Sequence, residues 1–310
     1  MTDFARRLII TGGHLSPAIA VIENMPKREW QIHFIGRVRP SAYSTDPSAE
    51  STIIPGLGIP FYPLMAPKLS RNISLDTLIS LLNFPTALLQ AFKLLDQIRP
   101  QVILSFGGYV GLPVCLAAAV KGVPFVIHEQ TTTAGLTNRI LARFARAIAV
   151  SWPIPYSFPP SKTILIGNPI RREIVKPDLR QVKKHSLNPR LPTLLVMGGN
   201  QGSHTINQAI LPTLKLLLQK ANIIFQTGLI NLYQDFEKAS SVASSVRTSD
   251  GRDARSQVGK LIVQKYFYPG LYGAVLAAAD LVVSRSGANT VTELAATGKP
   301  SLLIPLPWAA

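Results

Sequence analysis

Two phrases of this chain put bare backbone amides where an anion could sit. Leu8-Ile9-Ile10-Thr11-Gly12-Gly13-His14 opens the first, with Pro17 just beyond it, and Leu194-Leu195-Val196-Met197-Gly198-Gly199-Asn200-Gln201-Gly202 repeats the pattern in the second half. Each is an aliphatic run, then glycines, then an amphipathic stretch, the order of a strand, a tight turn and a helix. Such a turn leaves N–H groups unbonded at the positive end of the helix dipole, where phosphate binds well. A third place of this kind is Arg285-Ser286-Gly287-Ala288, which ends another aliphatic run and opens a helix carrying Glu293. Two side chains could move a proton. His14 closes the first glycine turn beside a helix start, which lowers an imidazole's proton affinity and favours its neutral, basic form. Glu129, between His128 and Gln130 at the end of an aliphatic run, is the rival acid–base group. Each has a plainer reading. Paired glycines also make tight turns, Glu129 could be a buried carboxylate tying a loop to Arg139 or Arg143, and Glu293 could be a surface glutamate.

The elements that must position these groups alternate along the chain. Strands are expected at Leu8–Thr11, Gln31–Ile35, Val102–Phe106, Val123–His128, Ala147–Ser151 and Thr163–Ile166. A second set is expected at Leu194–Met197, Ile223–Gln226, Leu261–Gln264, Leu281–Ser284 and Ser301–Ile304. They are short, apolar and bounded by Gly, Pro or polar residues, as in parallel sheets covered on both faces. Ser16 is placed to cap the first helix with Pro17 at its first position, and Ser286 to cap the helix of Glu293. Leu75, Leu78, Ile79, Leu82, Leu88, Leu89, Phe92 and Leu95 form a helical stripe with a kink expected at Pro85. Ile206, Ile210, Leu214, Leu217 and Leu218 mark a helix bent at Pro212. Ser240–Gly259, Ser-rich and aperiodic, reads as a flexible surface loop. A proline-rich stretch ends the first half, so the expected organisation is a first α/β domain over 1–167, a connection over 168–190 and a second α/β domain over 191–310, the two facing each other across a cleft.

Composition narrows the function classes. The 310 residues suffice for two cores, and 47% hydrophobic content marks a globular chain. No apolar run is long enough for a membrane span, and the N-terminus lacks a signal-peptide pattern. The lone Cys115 reads as a packed core thiol. A net charge of +16 favours anionic partners: nucleic acid, acidic lipid headgroups or phosphorylated substrates. Nucleic acid is disfavoured, because no zinc-finger spacing, RNP-like aromatic motif or basic recognition helix is present. An NAD-type reading is disfavoured too, since neither glycine loop carries Gly-x-Gly-x-x-Gly with an acidic residue at the next strand's end.

Seven motifs occur in one order: Thr11-Gly12-Gly13-His14 before Pro17, Phe106-Gly107-Gly108-Tyr109-Val110-Gly111-Leu112-Pro113, His128-Glu129-Gln130, Gly135-Leu136-Thr137-Asn138, Gly167-Asn168-Pro169-Ile170-Arg171, Gly198-Gly199-Asn200-Gln201-Gly202, and Arg285-Ser286-Gly287-Ala288 with Glu293. Together they resemble the bacterial cell-wall N-acetylglucosaminyltransferases that convert lipid I to lipid II. The resemblance implies a GT-B fold, two Rossmann-like domains with parallel sheets. It implies an inverting transfer of N-acetylglucosamine from UDP-N-acetylglucosamine to the C4 hydroxyl of undecaprenyl-diphospho-N-acetylmuramoyl-pentapeptide, without cofactor or metal.

By the same resemblance, Thr11, Gly12, Gly13, Gly107, Gly108, Tyr109, Gln130 and Thr131 would hold the acceptor diphosphate. Arg171, Asn200, Gln201, Arg285, Ser286, Gly287, Ala288 and Glu293 would hold the donor, Glu293 at the ribose and the 268–271 segment near uracil. His14 or Glu129 would be the base. The chain departs from the family pattern at Ile9 and Ile10, where two further glycines are usual, at Thr131, where Asn is usual, and at Asn200, where Ser is usual. The family's sugar-contacting polar residues after the last strand are not in this chain, so the second domain is expected to be incomplete and UDP binding weak. A peripheral position at the cytoplasmic face of the membrane is implied, with the Leu75–Leu95 stripe, Lys68, Arg71 and Lys93 partly facing anionic lipid. Another GT-B enzyme, such as a nucleotide-sugar epimerase or a glycolipid synthase, and an inactive fragment of the transferase remain open.

Overall fold

A computed structural model of the chain describes residues 6–39, 47–66, 82–199, 202–229, 232–249 and 258–306. The chain divides into two compact units, Met1–Arg171 and Arg172–Ala310.

The first unit holds a seven-stranded parallel sheet in the order β3-β2-β1-β4-β5-β6-β7. Its strands are β1 (Arg6–Thr11), β2 (Trp30–Gly36), β3 (Phe61–Pro63), β4 (Val102–Ser105), β5 (Phe125–Glu129), β6 (Ala147–Val150) and β7 (Thr163–Leu165). Between them run α1 (Leu15–Asn24), α2 (Ala49–Gly56), α3 (Phe84–Ile98), α4 (Gly108–Val120) and α5 (Leu136–Leu141). The aliphatic runs form strands because helices cover both faces of the sheet, leaving Ile9, Ile10, Ile35, Ile103, Ile127 and Ile148 fully buried. α4 is apolar all round, and Val110, Leu112, Val114, Cys115, Ala117 and Ala118 are all buried. Burial pushes the Cys115 thiol up to about 12, as an inert core thiol requires.

The second unit holds a five-stranded parallel sheet in the order β10-β9-β8-β11-β12. Its strands are β8 (Thr193–Met197), β9 (Asn222–Gln226), β10 (Leu261–Gln264), β11 (Leu281–Arg285) and β12 (Ser301–Ile304). Two short helices, α6 (Arg172–Val175) and α7 (Arg180–Lys183), fall inside the stretch expected as a connection and pack on α11 (Tyr272–Ala278). The remaining helices are α8 (His204–Ile210), α9 (Leu214–Leu218), α10 (Asp235–Ser249) and α12 (Ala288–Ala296). As Pro212 led one to expect, α8 and α9 are separated by a 3-10 turn, Leu211–Thr213.

Four expectations are corrected. The Ser-rich segment is helical through Ser249, because Ala239 is fully buried and Val242 packs on the core of this unit. Local polarity there is overridden by one apolar face. At Pro85 the helical stripe is interrupted rather than kinked: Leu82 is helical, Asn83 breaks the helix, and Pro85 sits in the first turn of α3, where proline's missing N–H costs nothing. Residues 67–81, which carry the first half of the stripe with Lys68 and Arg71, lie outside the described residues. α1 begins at Leu15, so His14 occupies the cap position and Ser16 lies inside the first turn. Likewise Gly287, in extended conformation, is the cap of α12, one residue beyond Ser286. β3 and α2 carry no periodic signal in the sequence.

Candidate active site

In each sheet the strand order reverses once, between β1 and β4 and between β8 and β11. Ligands of open α/β sheets bind beyond the carboxyl ends of the strands at such a point. The loops that leave those four strand ends are the glycine-bearing segments of the sequence.

In the first unit the two loops are stitched together. Phe106 N–H donates to the Thr11 carbonyl at 2.8 Å and Gly13 N–H to the Gly107 carbonyl at 3.0 Å. A Cβ on Gly12 would lie 2.7 Å from Phe106 N and 2.9 Å from Gly107 O, at a φ of +132° that favours glycine. A Cβ on Gly108, at φ +74°, would lie 2.8 Å from Gly13 N. Gly12 and Gly108 are therefore glycine because two loops touch backbone to backbone. Gly13 is different: it is exposed, and its nearest neighbour would be Gly108 Cα at 3.5 Å. Thr11 is fully buried at the end of β1.

His14 follows directly, capping α1 in extended conformation. Burial holds its imidazole below the ordinary value of 6.5; the charge of Glu129 raises it and that of Arg37 lowers it further. A neutral imidazole at neutral pH results, able to accept a proton.

Glu129 is 3% exposed and fully engaged. Its Oε1 accepts from Thr131 N–H at 3.1 Å and the Thr131 hydroxyl at 2.6 Å, and its Oε2 from Gly135 N–H and the Asn138 amide, both at 2.9 Å. The carboxylate does tie a loop, through these donors rather than through Arg139 or Arg143. Beside it, His128 Nε2–H donates to the Gly167 carbonyl at 3.1 Å, and its Nδ1 accepts from the Gln130 amide at 3.0 Å. Burial lowers the proton affinity of His128 as well. Gln130 is 1% exposed, and its main-chain carbonyl accepts from Trp152 Nε1–H at 2.8 Å.

Two charged residues that the motifs do not include, Arg37 and Glu50, also belong here. Arg37 follows the last residue of β2, next to β1 in the sheet. Its Nη1 donates to the Tyr109 hydroxyl at 2.6 Å, its guanidinium lies 5.5 Å from the Tyr109 ring centre, and its Nε pairs with Glu50 at 2.9 Å. Burial pushes the Glu50 carboxyl up to about 7, only partly opposed by Arg37. The available signal was position alone: a basic residue at the carboxyl end of a strand.

In the second unit, a Cβ on Gly198 would lie 2.2 Å from Ser203 N, and one on Gly202, at φ +86°, 2.3 Å from the Thr227 carbonyl. Asn200 and Gln201 lie outside the described residues. Ser203 caps α8 and accepts from Arg285 Nη2 at 2.6 Å, while Arg285 Nη1 donates to the Pro305 carbonyl at 3.1 Å. Arg285 thus braces the glycine loop against the segment after β12. Ser286, Gly287 and Ala288 bring the chain into α12, and Glu293 lies in its second turn. Glu293 is 5% exposed and accepts from the Tyr272 hydroxyl at 2.9 Å, so it is no surface glutamate. Glu173 accepts from the N–H groups of Gly270 and Gly273, fixing the 268–271 segment. Arg171, at the end of the first unit, is 5% exposed. A cluster not foreseen is Asp235, which accepts from His204 Nδ1–H at 2.9 Å and the Asn207 amide at 2.8 Å, with His204 stacked 3.7 Å from Tyr233.

Family models and known proteins match the chain over most of its length. The model of the glycosyltransferase family 28 N-terminal domain matches residues 9–150, and that of the family 28 C-terminal domain matches residues 193–310. The UDP-N-acetylglucosamine--N-acetylmuramyl-(pentapeptide) pyrophosphoryl-undecaprenol N-acetylglucosamine transferase of Desulforudis audaxviator is 34% identical over 96% of this chain and 77% of that protein. The protein of the same name from Moorella thermoacetica is 34% identical over 97% of this chain and 78% of its own length. Among solved structures, Acinetobacter baumannii MurG superposes with a TM-score of 0.60 at 24% identity, covering 98% of this chain and 80% of that one. The UDP-GlcNAc 2-epimerase of Neisseria meningitidis bound to UDP-GlcNAc gives 0.59 at 13% identity over 96% and 82%. The structural likenesses show the shared GT-B fold.

Proposed function

The chain belongs to glycosyltransferase family 28, and from that premise we infer that it transfers N-acetylglucosamine from UDP-N-acetylglucosamine to lipid-linked N-acetylmuramoyl-pentapeptide, the step from lipid I to lipid II. The observation that carries the assignment of roles is the pair of strand-order reversals, each lined by glycine-bearing loops. The first unit takes the acceptor diphosphate at Thr11–Gly13 and Gly107–Tyr109. The second takes UDP at the start of α12, with the dipole of that helix toward the diphosphate and Glu293 at the ribose. Arg171, Asn200, Gln201 and Arg285 complete the donor side of this reading.

His14 is the base. Both oxygens of Glu129 are occupied by loop donors, whereas His14 is neutral at the end of the glycine turn. The imidazole takes the proton of the acceptor's C4 hydroxyl as that oxygen bonds to the anomeric carbon of the donor. The bond from that carbon to UDP breaks, its electron pair leaves on the diphosphate, and the configuration inverts. Glu129, Gln130 and Thr131 act by holding the loop beside His14, with Gln130 and Thr131 next to the acceptor diphosphate.

The reading places the protein at the cytoplasmic face of the membrane, on anionic lipid. Among the described residues no helix is long and apolar enough to cross a membrane. The net charge of +16 and the exposed Leu82, just before α3, and Leu89, on it, support adsorption from one side.

The test is a transfer assay with UDP-N-acetylglucosamine and a short-prenyl lipid I analogue, with UDP as competitor. A disaccharide product whose formation is inhibited by UDP is expected. Conversion of the nucleotide sugar without an acceptor would favour the epimerase reading instead.

A further inference from the structure

The ends of four adjacent strands of the first sheet bring Gly12–His14, Arg37, Phe106–Tyr109 and Glu129 to one edge. Three of these were expected to act; Arg37 was not. Its guanidinium is held on two sides, by Glu50 through Nε and by Tyr109 through Nη1, and lies over the Tyr109 ring. Such a fork, fixed by planar hydrogen bonds, loses little further freedom when an anion arrives. Tyr109 lies two residues after Gly107, whose carbonyl takes Gly13 N–H, so the guanidinium is linked through one short turn to the loop that precedes His14.

We propose that Arg37 is a positioning residue of the acceptor site, holding Tyr109 against the glycine loop and presenting a fixed positive charge to the His14 imidazole and to the acceptor's diphosphate. The inference rests on the reading of His14 as the acceptor base. A purely structural ion pair would present little net charge. Here burial pushes Glu50 up to about 7, so near neutrality part of the population carries a neutral carboxyl beside a charged Arg37. The charged or titratable groups that act on His14 come from two strand ends. Glu129 on β5 favours its protonation, Arg37 after β2 opposes it, and His128 on β5 couples to it. Burial is the main cause that keeps the base unprotonated; Arg37 adds to it, offsetting part of the pull of Glu129, while drawing in the anion that carries the substrate.

The test combines imidazole NMR titration with steady-state kinetics on Arg37→Gln and Arg37→Lys, using the short-prenyl lipid I analogue. In Arg37→Gln the His14 titration moves up towards the ordinary imidazole value, the acid limb of kcat/KM follows it, and the acceptor KM rises while the donor KM stays. Arg37→Lys keeps the charge and loses the fork, so the His14 titration stays near wild type and only the acceptor KM rises. Should Arg37→Gln fail to fold, Tyr109→Phe, which removes only the hydroxyl, raises the acceptor KM in the same sense. An unchanged His14 titration and an unchanged acceptor KM in a folded Arg37→Gln would overturn the inference. His14→Asn separates the two levels. An acid limb that survives it removes the base reading, and this inference with it; a limb abolished by it but unmoved in Arg37→Gln removes the inference alone.

Discussion

Gly12 and Gly13 are neighbours with different work, and alanine separates them. At Gly12 the new Cβ would lie 2.7, 2.8 and 2.9 Å from Phe106 N, Phe106 C and Gly107 O, all main-chain atoms that cannot rotate away. The backbone φ of +132° adds strain of its own, about 1–3 kcal/mol for a non-glycine residue. Overpacking against an immovable neighbour typically costs about 1–3 kcal/mol more. Together these give roughly 2–6 kcal/mol, a large part of the stability of one α/β unit. At Gly13 the nearest atom is 3.5 Å away and the residue is exposed. Gly13→Ala should therefore leave stability within ~0.5 kcal/mol. Its methyl group would instead stand where the acceptor diphosphate approaches, and a misplaced substrate costs between roughly tenfold and a hundredfold in kcat/KM. Urea unfolding and acceptor kinetics on both variants make the comparison. If Gly12→Ala is as stable as wild type, or if Gly13→Ala turns over the acceptor normally, the division of labour between the two glycines is refuted.

Three further variants have expected outcomes. With His14 as the proposed base, held below 6.5, activity falls as pH drops through its titration; Glu129→Gln removes the charge that raises it, so the acid limb moves to lower pH in that variant. The same variant faces a donor with an amide N–H, which costs about 1–3 kcal/mol of stability in thermal or urea unfolding. Tyr272→Phe removes the hydroxyl donor of buried Glu293 and should raise the KM for UDP-N-acetylglucosamine by about tenfold, given roughly 1.5 kcal/mol for a hydrogen bond to a charged group, while the acceptor KM stays. Glu50 has its carboxyl raised from 4.5 to about 7 on folding, so the folded state holds the extra proton between those values and stability falls as pH rises through that window. Glu50→Gln lacks this dependence and should gain on wild type by roughly 3 kcal/mol between pH 4.5 and pH 8, read from urea midpoints; a pH-independent difference would contradict it.

Apart from β3, the strands were legible because each is a short aliphatic run bounded by Gly, Pro or polar residues; Leu261–Gln264 and Ser301–Ile304 are found where the sequence places them, although β12, at the sheet edge, leaves Leu302 exposed. The glycine loops were legible as turns, yet the sequence could not say which glycine is needed for packing. That depends on Thr11 pairing with Ser105 across the sheet, which brings Gly12 against Phe106. Arg37 was illegible for the same reason. Its partners, Glu50 and Tyr109, stand 13 and 72 residues away and meet it only because β2 and β4 both flank β1. Serine-rich composition hid α10, whose stability comes from Ala239 and Val242 against the core rather than from propensity. Polar roles were legible by type and not by commitment. Glu129 reads as an acid–base group until its four donors are counted, and His14 reads as a lone histidine until its charged neighbours are placed. One physical rule accounts for both. A side chain whose polar atoms are saturated within its own loop builds the site. One that burial keeps neutral, with opposing charges on either side, is left free to take a proton. That rule is the ground for proposing His14 as the group that acts on the substrate, with Glu129 and Arg37 setting the conditions under which it does.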